Sequence, residues 1–108
     1  MANSDHLKII KKGVEGWNKW RKENPDSKPD LGWANLIGLD LNDALFKDSN
    51  FKLAFCKECS LIEVDFSDSN LYGTNFENSI LTNSNLENAN LEGAHLVNAD
   101  LTGVNLRG

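Results

Sequence analysis

Residues 89–103 read ANLEG, AHLVN and ADLTG, three blocks of five in which a small residue, a polar residue and a leucine follow one another. The same spacing continues through most of the chain, because every fifth residue from position 31 onward is Leu, Phe or, once, Cys. We call these the centre positions and predict that they form the structural core. They are Leu31, Leu36, Leu41, Phe46, Phe51, Cys56, Leu61, Phe66, Leu71, Phe76, Leu81, Leu86, Leu91, Leu96, Leu101 and Leu106.

The slots around each centre are also restricted. Two residues before the centre a small side chain occurs in fourteen of sixteen repeats, with Pro29 and Leu39 as the exceptions. One residue before the centre Asn or Asp occurs in eleven repeats, and two residues after it Gly, Asn or Asp occurs in twelve. The pattern therefore occupies four of the five slots, and it must be explained by one repeated backbone conformation.

A period of five fits neither regular secondary structure. On an α-helix, residues five apart do not form a stripe, and on a continuous strand they point to opposite faces. A chain that bends every five residues instead puts the small residue and the centre on the same side, and Gly, Asn or Asp provides the bend. Successive coils must then stack through parallel ladders to pair their backbone groups.

These residues resemble the pentapeptide-repeat family, whose signature is roughly A-[DN]-L-x-x. The resemblance is clearest in residues 89–103 and covers about residues 29–108. It implies an all-β solenoid, namely a right-handed four-sided parallel β-helix with twenty residues per coil and about four coils. In that register Leu41, Leu61, Leu81 and Leu101 form one interior column.

The N-terminal segment has a different pattern. We predict that residues 1–30 form a capping helix with its connection and that residues 31–108 form the β-helix. One α-helix within residues 4–23, ending at Asn24-Pro25, would place its apolar stripe over the first coil with Trp33 nearby. The basic face of this helix leaves anionic lipid or nucleic acid as an alternative target. The cap residues are Leu7, Ile10, Val14, Trp17 and Trp20.

Charge divides the chain in the same way. Residues 1–30 carry seven Lys or Arg against five Asp or Glu, a net charge of +2, whereas residues 31–108 carry four against eleven, a net charge of −7. An acidic rod is expected to repel nucleic acid, although it could also imitate it. No stretch of eighteen apolar residues and no apolar signal core occurs, so we expect no membrane association and a cytoplasmic location.

No catalytic, cofactor-binding or metal-binding set is predicted, and neither is a small-molecule substrate. Cys56 and Cys59 have a C-x-x-C spacing that is compatible with half a zinc site or a redox pair, but nothing completes such a site. The repeat register places both thiols inward as small hydrophobic groups. His6 and His95 have no evident catalytic partners and are expected to be solvated. The chain is therefore predicted not to be an enzyme.

Several apolar residues occupy slots that should point outward, and we predict that they form a partner surface; distortion of the loops near the cap is the alternative explanation. The resemblance implies a non-enzymatic structural or protein-protein interaction scaffold, whose partner the sequence does not identify. The alternative is an acidic DNA mimic that binds a type II topoisomerase such as gyrase. Because the last repeat has no second cap, we expect either that the natural chain continues into more coils or another domain or, as the alternative, that the C-terminal coil forms an end-to-end homodimer. The surface residues are Leu53, Phe55, Ile62, Tyr72 and Ile80.

Overall fold

The computed structural model describes all residues, 1–108, as two N-terminal helices followed by a stack of coils. Helix α1 spans Ser4–Lys11 and helix α2 spans Val14–Glu23. The prediction of one helix is wrong, because Gly13 has a φ of 127° and separates the two helices as the N-cap of α2. Neither helix has the length and apolar character needed to span a membrane.

The coils are joined by twelve isolated parallel bridges, each linking residues twenty positions apart. Regular strands are absent, since each coil pairs through one residue at a time. The bridges form four ladders, which we call faces 1 to 4. Face 1 contains Asp30, Asn50, Asn70 and Asn90; face 2 contains Asn35, Phe55, Asn75 and His95; face 3 contains Asp40, Ser60, Ile80 and Asp100; face 4 contains Leu45, Asp65, Asn85 and Asn105.

Each face of a coil uses three groups of the coil above it, where the upper end is the N-terminal one. On face 2, the N–H groups of Leu36 and Gly38 donate to the carbonyls of Phe55 (2.8 Å) and Lys57 (3.0 Å). In return the Phe55 N–H donates to the Ala34 carbonyl at 2.8 Å. Coil 1 comprises residues 30–49, coil 2 residues 50–69, coil 3 residues 70–89 and coil 4 residues 90–108.

The bends follow the predicted slots. All sixteen residues that stand two after a centre have positive φ, and eleven of them are not glycine. The carbonyl of every centre in coils 1 to 3 except Leu61 accepts the N–H three residues later, as Leu31 does from Ala34 at 3.1 Å, which defines a β-turn. All eleven Asn or Asp residues before a centre accept the N–H two residues ahead, as Asn35 does from Ile37 at 3.1 Å. This side-chain turn explains the polar preference of that slot.

The centre positions line the interior down to coil 3. The twelve centres from Leu31 to Leu86 are buried, and the rings of Phe46 and Phe66 stack one coil apart with centroids 5.3 Å from each other. In coil 4, Leu91, Leu96 and Leu101 are only partly buried. Leu106 is 56% exposed, so its assignment to the core is wrong; it occupies the last centre and no further coil covers it.

Four of the five buried hydroxyl groups in the small slots donate to backbone carbonyls, and the fifth, that of Ser49, accepts from Arg21. Ser69 Oγ donates to the Phe46 carbonyl at 2.6 Å and Thr74 Oγ1 to the Phe51 carbonyl at 2.7 Å. These bonds remove the penalty of an unpaired buried hydroxyl and link adjacent coils through the interior.

The two helices lie over coil 1. Ile10 and Trp17 are buried, and Leu7, Val14 and Trp20 are partly buried against the core. The ring of Trp17 meets that of Phe46 edge-on at 5.5 Å. Trp33, expected beside the cap, is 53% exposed because it occupies a turn slot that points outward.

Side chains of the cap also replace the backbone of a missing coil on face 4. Trp17 Nε1 donates to the Leu45 carbonyl (2.9 Å), and Arg21 donates to the Lys47 carbonyl (2.7 Å). Asn18 Oδ1 accepts the Leu45 N–H at 2.9 Å. These are the two donors and the acceptor that each inner face receives from the coil above it.

Face 1 is covered in a similar way by α1. The Asn3 N–H donates to the Asp30 carbonyl at 2.9 Å, and His6 Nδ1 accepts the Asp30 N–H at 3.0 Å. His6 is half-buried and its ring lies 4.9 Å from that of Trp20, so the expectation of a solvated His6 is wrong.

Candidate interaction surface

Exposed apolar side chains are concentrated on one half of the coil stack. This half consists of faces 2 and 3 with the corners that bound them, and we call it the apolar half. Faces 1 and 4, with the corner between them, carry no large exposed apolar side chain apart from Leu106 at the uncovered last centre. The exposed residues of the apolar half are Trp33, Ile37, Phe55, Tyr72, Ile80 and Val97.

Two of these residues occupy the slot where Asn or Asp forms the side-chain turn. Phe55 on face 2 and Ile80 on face 3 are each 42% exposed. Neither can accept the N–H two residues ahead, so each lacks a hydrogen bond that all eleven Asn and Asp residues of the slot form, and neither buries its side chain in exchange. A local rule broken without a structural gain is typical of a functional position.

Trp33 and Leu53 break a second rule in the column of turn residues between faces 1 and 2. Both have positive φ, 63° and 58°, a conformation that bulky side chains seldom adopt. The next two members of the column are Gly73 and Gly93. Leu53 lies against Gly73, where an added Cβ would come within 2.6 Å of Leu53 Cδ2. Trp33 and Leu53 thus adopt an unfavourable backbone conformation, and their large apolar side chains lie beside face 2.

The five predicted surface residues all lie in the apolar half, but they do not form one patch. Leu53 and Tyr72 stand at the corner before face 2, with Lys52 Nζ 5.7 Å from the centre of the Tyr72 ring, and Phe55 lies on face 2. Ile80 lies on face 3 and Ile62 at the corner after it, where Ile62 is half-buried.

Sequence reasoning missed Trp33 and Ile37 as surface residues. The sequence contained the signal for both residues. Trp33 stands two residues after the centre Leu31, Ile37 stands one residue after the centre Leu36, and side chains in both slots point outward. Trp33 was assigned to the cap contact instead. Both side chains flank Asn35 at the top of face 2.

A cleft of 290 Å³ lies between α2 and face 4, lined by Arg21, Lys22, Pro25, Leu45, Lys47 and Asp65. Arg21 is buried, and burial lowers the pKa of its guanidinium, an effect that the charges of Asp48 and Asp65 partly offset. Its hydrogen bonds go to the Lys47 carbonyl and to Ser49 Oγ. Arg21 therefore fastens the cap to coil 1.

The two cysteines are buried, free thiols inside coil 2. Cys59 Sγ donates to the Leu36 carbonyl at 2.8 Å, the same type of bond to coil 1 that Ser69 makes ten residues later in coil 2. The hydrogen bond to Cys59, together with burial, raises the pKa of Cys56 well above its ordinary value. No group of three or more His, Cys, Asp or Glu side chains is arranged to hold a metal ion.

Comparison with known proteins agrees with this geometry. A family model described as pentapeptide repeats matches residues 30–68 and 69–108. No curated protein sequence matches the chain.

Two solved structures are similar over the coils. One is a pentapeptide repeat protein from the thylakoid lumen of Arabidopsis thaliana, with a TM-score of 0.72 and 29% identity over 73% of this chain and 55% of that one. The other is HetL from Nostoc sp. strain PCC 7120, a pentapeptide repeat protein involved in the regulation of heterocyst differentiation. Its TM-score is 0.68, with 27% identity over 72% of this chain and 36% of HetL. The matches thus span about half of the first relative and about a third of the second.

Proposed function

Because this chain belongs to the pentapeptide-repeat family, we propose that it is a non-enzymatic structural scaffold that binds another protein through its apolar half. The observation that carries the proposal is the exposure of Phe55 and Ile80 in slots where a polar residue would stabilise the turn. Aromatic and aliphatic residues exposed together on a rigid surface are typical of protein-protein interfaces.

The proposed architecture behind this function is a right-handed, four-sided β-helix. Four ladders with a twenty-residue spacing support four sides. The right hand is the one that parallel crossover connections adopt in nearly all proteins. Such a rod holds side chains of successive coils about 4.8 Å apart, so a partner meets a fixed array.

The polar composition of the remaining surface is consistent with a cytoplasmic protein, and we include that location in the proposal. An end-to-end homodimer is a second element. Leu91, Leu96 and Leu101 are partly exposed at the lower end, and the N–H groups of these three residues have no partner within the chain. Sedimentation equilibrium tests the dimer, and a concentration-independent monomer mass would reject it.

The test of the scaffold uses variants that restore the repeat pattern. Phe55→Asn and Ile80→Asn remove the exposed apolar groups and introduce the side-chain turn, so both should fold at least as well as the wild type. Proteins retained from a lysate of the source cell by the wild type should be lost with the double variant. The most abundant one is then purified and titrated with each variant.

The matched control is Asn70→Asp, which keeps the turn acceptor in the same slot on face 1. It should retain the partner that the double variant loses. If the double variant and the wild type bind the same proteins with the same affinity, the apolar half is not the interface. Inhibition of gyrase supercoiling by the purified protein would instead favour the alternative of DNA mimicry.

A further inference from the structure

The upper edge of coil 1 is only half covered by the cap. On faces 1 and 4 the cap supplies hydrogen bonds to Asp30, Leu45 and Lys47, as described above. On faces 2 and 3 the N–H groups of Asn35 and Asp40 have no partner within the chain. The same is true of four carbonyls, those of Asn35, Ile37, Asp40 and Asn42.

This open edge, residues 35–42, is accessible from outside. Asn35, Gly38 and Asp40 are exposed, Ile37 is 48% exposed, and a Cβ added to Gly38 would meet no atom within 4 Å. One coil lower, the N–H groups of Phe55 and Ser60 in the same slots are bonded to the coil above at 2.8 and 3.1 Å. The six unpaired groups therefore occupy the same positions in the repeat as the paired groups of coil 2, but no backbone lies above them to form hydrogen bonds.

The open edge coincides with the apolar half of the molecule. Trp33 and Ile37 flank Asn35, and Phe55 stands directly below it on face 2. Unpaired edge groups beside exposed apolar side chains are the features by which a sheet edge binds an extended segment of another protein. These two observations are independent, because one concerns backbone pairing and the other side-chain exposure.

We propose that residues 35–42 bind an extended segment of a partner protein, which adds as half a coil above faces 2 and 3. The inference rests on the proposed scaffold function and specifies the segment that the scaffold takes. The segment runs parallel to residues 35–42, since every bridge of the stack is parallel. It supplies two donors and one acceptor to each of the two faces.

The side chains of the segment follow from its surroundings. Above Asn35 its outward residue lies between Trp33 and Ile37 and is apolar. Five residues later its outward residue lies above Asp40, near Asp43, and is Lys or Arg, because residues 31–46 contain two exposed carboxylates and no basic residue. Its inward residues are small, because Ile10 and Trp17 already fill the space over coil 1.

A synthetic decapeptide AFASGAKASG has this pattern and serves as the probe. Titrated into the isotope-labelled protein, it should shift the NMR amide signals of Asn35 and Asp40 and slow their hydrogen exchange. Without peptide these two amides should exchange faster than those of Phe55 and Ser60, which occupy the same slots one coil below. Equal protection of all four amides in the free protein would show that the edge is not open and would overturn the proposal.

Two control peptides separate the contribution of backbone hydrogen bonds to binding from that of the lysine charge. AFPSGAKPSG lacks the two N–H groups that donate to the Asn35 and Asp40 carbonyls, and it should bind about tenfold more weakly or not at all. AFASGAEASG reverses the charge above Asp40 and should bind about two- to fivefold more weakly. If the proline peptide binds as well as the parent peptide, backbone pairing is not the mode of binding.

Protein variants locate the site. Asp40→Asn keeps the acceptor for the Asn42 N–H but removes the charge, and it should reduce the preference for the lysine peptide over the glutamate peptide. Its matched control, Asp100→Asn, lies on the same face three coils below and should change nothing. Ile37→Ser should weaken the parent peptide, whereas Val97→Ser, in the same column at the last coil, should not.

These experiments distinguish failure of the edge proposal from failure of the scaffold proposal. If a natural partner is lost with the Phe55→Asn and Ile80→Asn variant but is unaffected by Ile37→Ser and by competing decapeptide, the scaffold proposal stands and the edge proposal fails. If the decapeptide binds at Asn35 and Asp40 while no natural partner depends on Phe55, Ile80 or Ile37, the edge can pair but the scaffold function fails.

Discussion

Coil 1 and coil 4 have the same repeat but end in different surroundings. In coil 1 the centres Leu31, Leu36 and Leu41 are buried beneath the cap, and half of the upper backbone edge is hydrogen-bonded to the cap. In coil 4 the centres Leu91, Leu96 and Leu101 are only partly buried, Leu106 is 56% exposed, and the lower N–H groups are unpaired. The repeat thus fixes where a side chain points, whereas the neighbouring layer decides how much its burial stabilises the protein.

The largest effect is expected from a charge placed in the fully covered interior. Leu81→Asp puts a carboxylate in a column without polar partners, and the loss should be about 5 kcal/mol or more, enough to unfold the chain. Leu106→Asp makes the same change at a centre that is 56% exposed, and it should melt close to the wild type. Similar melting temperatures for the two variants, measured by circular dichroism, would refute the difference in burial.

Removal of the cap should make the upper end resemble the lower one. Deleting residues 1–24 exposes the first interior layer and loses the burial of Ile10 and Trp17, at a cost of about 4 kcal/mol. The exposed layer should associate, so size-exclusion chromatography should show larger species while the circular dichroism of the coils persists.

Trp17→Phe tests the cap without risking the fold. It retains most of the ring packing against Phe46 but removes the Nε1 donor to the Leu45 carbonyl, and it should cost about 1 kcal/mol. Lys19→Gln, an exposed change on the same helix, is the control. The helices do not act as a cap if the protein without residues 1–24 stays monomeric and stable and if Trp17→Phe leaves the free energy of unfolding unchanged.

Two leucine-to-alanine variants in the same interior column compare the cost of a cavity in coil 1 with the cost of one in coil 4. Leu41→Ala removes a buried side chain under the cap and should destabilise by about 2–5 kcal/mol. Leu101→Ala, three coils lower, should cost less than half as much, because the site is already partly solvated. Urea melts give both values, and equal losses would show that coil 4 is covered by another molecule in solution.

The smallest effect concerns the turn column that holds Trp33 in coil 1 and Gly93 in coil 4. Trp33→Asn should stabilise the protein by up to about 1 kcal/mol, because Asn tolerates positive φ better than Trp. Asn98→Ala, at a turn that already holds Asn, should do the opposite. A clear loss of stability in Trp33→Asn would indicate that the exposed indole makes a structural contact.

Much of this arrangement could be predicted from the sequence. The centre and turn slots follow from the five-residue pattern alone, and the twenty-residue coil follows from the family resemblance. The cap was harder, because its residues do not repeat. The apolar spacing of residues 4–23 is compatible with one continuous helix, but the positive φ of Gly13 divides that helix in two. The bonds of Trp17, Asn18 and Arg21 to coil 1 depend on how α2 lies over face 4, which no sequence period encodes.

The candidate surface was only partly predictable for a related reason. The outward slots identified Phe55 and Ile80, but the open edge at Asn35 and Asp40 exists only because the cap covers two faces and not the other two. Its groups are backbone atoms, which every residue carries, so no residue type marks them.

The equal five-residue steps of the coil affect how such a chain can change its length. An insertion of one residue misplaces every later leucine, whereas an insertion of five after coil 1 leaves the interior pattern intact and turns all later residues by one face. Phe55 would then lie below Asp40 rather than below Asn35, and the exposed apolar side chains would be divided among new neighbours. A gene encoding these repeats can therefore rearrange the outer surface by gaining or losing single repeats while the folded interior stays the same.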